Sequence, residues 1–313
     1  MNPRDVADIF DARAERYSGD DWHRRYAEAL VAVTPLRPGD HVLDAATGTG
    51  FGARAIARRV GPAGHVLGVD VSRGMLEQAR RAIDTEQLRN VELLEADVTD
   101  LRELAASTFD AVVCAAGLLY MPVANALAAW HRLLKPDGVV AFSTMQAGSP
   151  SAGRIFRECA AASGWELKDP SEALGTEDRC RAALEEAGFD RVQVTAARVD
   201  FGHLDPALAW EANFRASSHL AAHPLSPHAQ DALRLAYLRA LDDAQRVDLA
   251  AAARADVLFA VARRPDRANA SAHRQRCSLR ARSPGVRTRR NTPGRLPRAP
   301  SNRRCRCCGS SPP

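Results

Sequence analysis

Short apolar runs alternate with segments of helical periodicity along most of the chain. The segments between the apolar runs predict helices, and the helix Arg73–Ala82 is expected to begin after a capping Ser72. Strands that alternate with helices in this way predict right-handed crossovers and a mostly parallel, doubly wound sheet with helices on both faces. The seven predicted strands are His41–Ala45, His65–Val69, Val91–Glu95, Phe109–Cys114, Val139–Thr144, Arg191–Ala197 and Val257–Ala262.

Other stretches depart from this rhythm. Asn2–Arg16 and Trp22–Val33 predict N-terminal helices before the first strand. Residues 146–173 look like an insertion, and residues 206–253 predict a helical cap; we expect both to shape an acceptor site. Their aromatic side chains favour an apolar pocket, with packing of the cap on the sheet as the alternative. These side chains are Phe156, Trp165, Phe201, Trp210 and Phe214.

Charge is distributed unevenly along the 313 residues, whose net charge is +5. Residues 266–313 contain 13 Arg and one acid, whereas residues 1–265 contain 30 basic and 37 acidic residues, a net charge of −7. An acidic domain is not expected to bind nucleic acid. The segment 266–313 has no Phe, Trp or Tyr and is rich in Arg, Pro and Ser, which predicts a disordered tail after a domain spanning 1–265.

The remaining composition concerns the compartment and metals. No apolar run reaches the roughly 18 residues of a membrane-spanning helix, and the first 25 residues are charged throughout, unlike a secretory signal. We therefore expect a cytoplasmic protein with no membrane partner. Cys305, Cys307 and Cys308 lack a spaced second pair of ligands, so no metal site is predicted. The sequence does not predict an oligomeric state.

A glycine loop follows the first predicted strand and carries the candidate chemistry. Such a loop lets a ligand approach the backbone at the carboxyl end of a sheet. The Gly48-x-Gly50 spacing, with Asp70 about 20 residues further on, also fits a dinucleotide-binding pattern. However, Asp44 stands just before the turn and would repel a pyrophosphate, and Asp97 follows the third strand. Acids at three successive strand ends favour a cationic nucleoside over NAD.

In their order along the chain these motifs resemble the class I S-adenosylmethionine-dependent methyltransferases. The resemblance covers roughly residues 1–265 and is greatest to the small-molecule group that includes the menaquinone and ubiquinone biosynthesis enzymes. It implies a Rossmann-like fold and S-adenosylmethionine as cofactor, with S-adenosylhomocysteine as product. The motifs are Phe10-Asp11 with Tyr17, the Asp44–Gly52 loop, Gly68–Asp70, Ala96–Val98, Phe109–Cys114, Leu133–Gly138 and Leu184–Phe189.

The resemblance also implies a map of the cofactor site. Asp44 would hold the ammonium of the methionine portion, Asp70 the ribose hydroxyls and Asp97 the adenine. Tyr17 would close over the methionine end, unless it packs the N-terminal helices onto the sheet. The structural alternatives are Asp44 as a turn residue, Asp70 as a helix cap and Asp97 as a turn former. The expected cofactor-binding residues are Tyr17, Asp44, Ala46, Gly48, Gly50, Asp70, Val71, Met75, Asp97, Val98, Ala115 and Leu119.

One residue departs from the pattern at the centre of this map. The family commonly has D-x-G-x-G-x-G in the loop, and Ala46 stands at the first of those glycines. Alanine is the mildest replacement, so cofactor binding is expected to persist provided that φ stays negative there.

The resemblance implies methyl transfer to a hydrophobic small-molecule acceptor. Because the sulfonium leaves as a neutral thioether, alignment of the reactants can supply much of the rate enhancement. We favour O-methylation in secondary or quinone metabolism; C- or N-methylation and a non-catalytic cofactor-binding role are the alternatives. His203, after the sixth strand, is the candidate base. Cys114 follows Val113 rather than a proline, so we expect it to be a packing residue and not a nucleophile.

Overall fold

The structure, a computed structural model, describes residues 2–17, 21–200, 205–218, 225–248 and 254–266. Within these ranges seven strands form one sheet in the order β3-β2-β1-β4-β5-β7-β6. Strand β7 runs antiparallel to both of its neighbours, and the other neighbouring pairs are parallel. This confirms the predicted mostly parallel sheet. The strands are β1 (His41–Ala45), β2 (His65–Asp70), β3 (Val91–Glu95), β4 (Phe109–Cys114), β5 (Leu134–Met145), β6 (Asp190–Asp200) and β7 (Arg254–Arg263).

Helices cover both faces of the sheet. The cap predicted at Ser72 is confirmed, because its Oγ accepts the Met75 amide at 3.1 Å. A 3-10 turn, Leu118–Tyr120, follows β4. The α-helices are α1 (Pro3–Asp11), α2 (Ala14–Tyr17), α3 (Asp21–Val33), α4 (Phe51–Val60), α5 (Arg73–Thr85), α6 (Val123–Leu133), α7 (Ser151–Ala162), α8 (Glu177–Glu186), α9 (Pro206–Ser218) and α10 (Pro227–Val247).

Two cores lie on opposite faces of the sheet because neighbouring strand residues point in opposite directions. In β1, Leu43 packs into the core that contains Trp130 of α6. Val42, the preceding residue, packs into the core that contains Ile56 of α4 and Leu30 of α3. All five side chains are fully buried. The sheet is therefore fixed from both sides, and its strand ends are held in register.

The N-terminal region differs from the sequence prediction. The single helix predicted over Asn2–Arg16 is two helices, α1 and α2, because the first ends at a C-cap, Ala12. Asp11, the last residue of α1, is bound to the start of α5: its Oδ1 accepts the Ser72 hydroxyl at 2.5 Å and the Gly74 amide at 2.8 Å. These bonds hold α1 against the sheet edge where β2 ends.

The insertion and cap form a third hydrophobic cluster built from α7, α9 and α10. Trp210 stacks on Phe214 at 5.0 Å between ring centroids, and Phe156 lies between Trp210 and Tyr237 at 5.6 and 5.5 Å. These aromatic side chains contact one another in the interior of the cap. The arrangement therefore agrees with the packing alternative and not with an aromatic acceptor pocket. Among the helices that the structure describes, not one combines the length and apolar character needed to cross a bilayer.

Candidate cofactor site at the carboxyl end of the sheet

A cleft of about 270 Å³ opens where β1, β2 and β4 end. Helices α1 and α2 form its outer wall, and the segment after β4 forms the opposite side. Parallel strands bring residues distant in sequence to this edge because their carboxyl ends coincide. Nine of the expected cofactor-binding residues line the cleft: Tyr17, Ala46, Gly48, Asp70, Val71, Met75, Asp97, Val98 and Ala115.

The other three expected residues lie elsewhere. Asp44 lines a smaller inner pocket beneath the glycine loop. Gly50 lies outside both linings: its φ is +79°, and an added Cβ would stand 3.1 Å from the Cβ of Ala79 in α5, so its lack of a side chain serves close packing. Leu119, in the 3-10 turn, is half-buried and also lies outside both linings.

The backbone at Ala46 has a left-handed conformation, with φ at +57°. The expectation that φ at Ala46 is negative, on which we based continued cofactor binding, is therefore wrong. An alanine in this region carries a steric cost of roughly 1–2 kcal/mol that a glycine avoids. Ala46 nevertheless lines the cleft, and its Cβ lies against Gly117, where an added Cβ would stand only 2.6 Å away.

Asp44, one residue before the end of β1, is buried, with 1% of its surface exposed. Its Oδ2 accepts the Thr47 hydroxyl at 2.6 Å, and the carboxylate also accepts the Ala53 amide of α4. Burial raises the pKa of Asp44 to about 7, although these two hydrogen bonds act in the opposite direction. Because this pKa is close to neutral pH, a charged ligand group in the inner pocket would decide whether Asp44 is ionised.

The carboxylate of Asp70 organises the loop as well as facing the cleft. It accepts the Gly48 amide at 2.8 Å and the Ser72 amide at 2.9 Å. Burial raises the pKa of this carboxyl above its usual range, against the effect of those amide hydrogen bonds. Two ionised oxygens offer about four acceptor positions, so capacity for ligand hydroxyls remains. Asp70 therefore joins the glycine loop to the N-cap residue of α5, and its contact with a ribose stays a prediction.

Asp97 combines a turn with a place in the cleft. Its Oδ1 accepts the backbone amide and the hydroxyl of Thr99, both at 2.8 Å, which is an Asx turn. The residue nevertheless lines the cleft beside Val98. The turn-forming alternative and the adenine-contacting prediction are thus compatible at this position.

The outer wall contains aromatic side chains whose role the sequence did not reveal. Phe10 of α1 meets Tyr120 edge to face at 5.1 Å between centroids and Tyr17 at 6.3 Å. The Arg13 guanidinium lies over both Phe10 and Tyr17, at 5.4 and 5.8 Å. Phe10 belongs to the Phe10-Asp11 motif, but the motif did not predict that it lines the cleft. The one sequence signal for this wall was a helix with an apolar face ahead of the first strand. The lining residues absent from the predicted map are Pro3, Val6, Phe10, Thr99, Ala116, Gly117, Tyr120, Met121 and Pro122.

Cys114 lies within the described part of the chain, whereas the candidate base does not. His203 and Phe201 fall outside the described residues, as does the segment 267–313. Burial raises the pKa of the Cys114 thiol to about 12, which disfavours the nucleophilic thiolate and agrees with a packing role. His23, a residue missing from the map, lines the inner pocket; burial and, to a lesser extent, Arg13 lower its pKa to about 3, so it is neutral. Within the described ranges, no group of three or more His, Cys, Asp or Glu is placed to hold a metal.

Comparison with known proteins agrees with the geometry. The doubly wound sheet, with a glycine loop and acids near the ends of β1 and β2, has the Rossmann-like fold of methyltransferases. Residues 42–138 match a family described as "Methyltransferase domain". The chain belongs to the class I S-adenosylmethionine-dependent methyltransferases of small molecules, and its cofactor is S-adenosylmethionine.

Individual relatives refine this placement. The chain is 34% identical over 158 residues to a 2-phytyl-1,4-naphtoquinone methyltransferase of Nostoc, covering 48% of this chain and 69% of that protein. It is 34% identical over 157 residues to a demethylmenaquinone methyltransferase of Symbiobacterium thermophilum, covering 46% of this chain but only 60% of that relative. The YcgJ protein of Bacillus subtilis has a similar fold, with a TM-score of 0.52 at 14% identity over 77% of this chain and 99% of that one.

Proposed function

We propose that this enzyme methylates an oxygen of a hydrophobic, hydroxyaromatic small molecule of the quinol type. The observation that carries the proposal is the scarcity of charge in the cleft lining. Among its described residues only Asp70 and Asp97 carry a formal charge, and both lie at the predicted nucleoside end. The rest of the lining is mostly apolar or aromatic and includes Phe10, Tyr120 and Met121. A charged acceptor would lose its hydration there without gaining a partner.

The residues of the chain have mainly a positioning role in this reaction. S-adenosylmethionine supplies a methyl group on a positively charged sulfur, and the sulfur leaves neutral. Ala115, at the end of β4, lines both the cleft and the inner pocket and so marks where the two halves of the site meet. A flat aromatic acceptor held between Phe10 and Met121 would face that junction. Alignment of this kind is worth up to roughly 7–11 kcal/mol.

The relatives support the hydrophobic ring system of such an acceptor, because the names of two of them specify a menaquinone precursor and a phytyl naphthoquinone. Deprotonation of a phenol would add roughly 10²–10⁴-fold to the rate. His203 remains our candidate for that base. If it acts so, His203→Gln should lower kcat by such a factor and flatten the acidic limb of the pH profile, whereas unchanged kcat would assign the proton to solvent.

The direct test combines methyl-labelled S-adenosylmethionine with a panel of quinols, phenols and amines. We expect label in a methyl ether of a quinol or phenol, located by mass spectrometry and NMR. A methyl group found on ring carbon or nitrogen would overturn the O-methylation step, and transfer confined to amines would overturn the acceptor class. Absence of transfer to every acceptor, with cofactor still bound, would favour a non-catalytic role.

A matched pair of variants tests the apolar side of the cleft. Met121→Ala removes a lining side chain and should raise the acceptor KM roughly tenfold, about 1.4 kcal/mol, while leaving the affinity for S-adenosylhomocysteine unchanged. Leu235→Ala, on an exposed part of α10, is the control and should change neither quantity. Equal KM values for the two variants would contradict the proposed acceptor position.

A further inference from the structure

The hydroxyl of Thr49, in the glycine loop, is buried without a hydrogen bond. Thr49 is only 3% exposed, and its Oγ1 has no partner among the described residues. Buried hydroxyls are nearly always paired, since an unpaired one has lost its hydration without compensation. Thr49 lines the inner pocket beside Asp44, and its hydroxyl therefore indicates a polar group that arrives with a ligand.

A second hydroxyl lines the same inner pocket from α3. Tyr26 is 1% exposed, and its interaction with Ser143 falls short of hydrogen-bond geometry. The Ser143 Oγ already accepts the Ala116 amide at 3.0 Å. Two buried hydroxyls with unused hydrogen-bonding capacity thus come from different elements, a loop and a helix, to line one pocket. This arrangement is costly in a cofactor-free protein and is relieved by a ligand that accepts hydrogen bonds.

The inner pocket is joined to the cleft, because Tyr17, Ala46, Gly48 and Ala115 line both. The amino-acid end of the cofactor would extend past Ala115 into the inner pocket. This end carries both an ammonium and a carboxylate. Asp44 complements the ammonium, but as an acid it cannot bind the carboxylate. We propose that the Thr49 hydroxyl, with Tyr26 in support, donates to the carboxylate of the cofactor's amino-acid end and makes that group a determinant of affinity.

The experiment compares two ligands that share adenosine and a thioether. S-adenosylhomocysteine has the amino-acid end and 5′-methylthioadenosine lacks it. Thr49→Val removes the hydroxyl at nearly constant volume and should weaken S-adenosylhomocysteine binding about tenfold by calorimetry, the usual effect of one hydrogen bond to a charged group. Binding of 5′-methylthioadenosine should stay unchanged. Thr49→Ser keeps the hydroxyl and should restore the affinity, and Tyr26→Phe should show a smaller selective loss.

The outcomes are separable from a general loss of structure. An equal loss for both ligands in Thr49→Val would assign Thr49 a purely structural role and overturn the proposal, as would full affinity for S-adenosylhomocysteine. The decarboxylated analogue of S-adenosylhomocysteine, which keeps the amine, distinguishes the two charges: its binding should not respond to Thr49→Val, and a tenfold response would place the ammonium at Thr49 instead. No methyl acceptor is present in these measurements, so they stand or fall independently of the proposed acceptor.

Discussion

Ala46 and Gly117 are expected to be energetically coupled, and a double-mutant cycle measures the coupling. Gly117 has ordinary helical angles, φ −90° and ψ −31°, so alanine there carries no backbone strain. Its new Cβ would stand 2.6 Å from the Cβ of Ala46 and 3.1 Å from the Sγ of Cys114. Carbon atoms in contact prefer about 3.5–4.0 Å, so the first pair overlaps by about 1 Å.

The magnitude follows from these distances. Overpacking of this kind costs roughly 1–3 kcal/mol, and a Gly-to-Ala change returns about 0.4–1 kcal/mol through the unfolded chain, so Gly117→Ala should destabilise by about 1–2 kcal/mol. Ala46→Gly removes the strain of the left-handed backbone, but it raises the conformational entropy of the unfolded chain and loses one methyl contact. Because these effects oppose one another, the unfolding free energy of this single variant should change little. With Ala46→Gly in place this overlap disappears, and only the milder 3.1 Å contact with the buried Cys114 thiol remains.

Urea unfolding of the cofactor-free protein tests the cycle. Gly117→Ala should cost about 1–2 kcal/mol in the wild-type background and close to nothing beside Ala46→Gly, a coupling of roughly 1–2 kcal/mol. The control pairs Gly117→Ala with Ala82→Gly, a helical alanine in α5, where additivity is expected. Additive behaviour in the Ala46 cycle as well, within about 0.3 kcal/mol, would refute the claim that these two residues share one space.

Three further predictions concern the acids and the tail. Because burial raises the pKa of Asp44 from 3.8 to about 7, the folded protein retains a proton that the unfolded chain releases, so the unfolding free energy of the cofactor-free protein should fall as pH rises through that interval. Asp44→Asn should reduce the fall in urea titrations, and identical slopes would exclude Asp44 as its source. Asp70→Ala should weaken S-adenosylhomocysteine binding by about 1–3 kcal/mol in calorimetry, and unchanged affinity would remove Asp70 from the site. Deleting 266–313 should preserve the thermal transition and the cofactor affinity; a lost transition would show that the boundary predicted at 265 is wrong.

The sequence determined the sheet and the acids at its edge. Strands β1, β3 and β4 have the predicted limits, because an apolar run between turn residues is a local signal. Burial on both faces reinforces that signal in β1 and β4. The positions of Asp44 and Asp70 follow from chain order alone, since a residue at or next to the end of a parallel strand must lie near the carboxyl edge. The glycine loop and its class of ligand could therefore be inferred before any coordinate was known.

Tertiary contacts decided the rest. The placement of β7 between β5 and β6 depends on long-range pairing that no local pattern encodes. The outer wall exists because Asp11 bonds to Ser72, 61 residues away, and so brings Phe10 to Tyr120. The left-handed backbone at Ala46 likewise runs against the residue's own preference. Local periodicity fixes which residues are apolar and where strands end, whereas pairwise contacts between distant segments fix which side chains face a ligand.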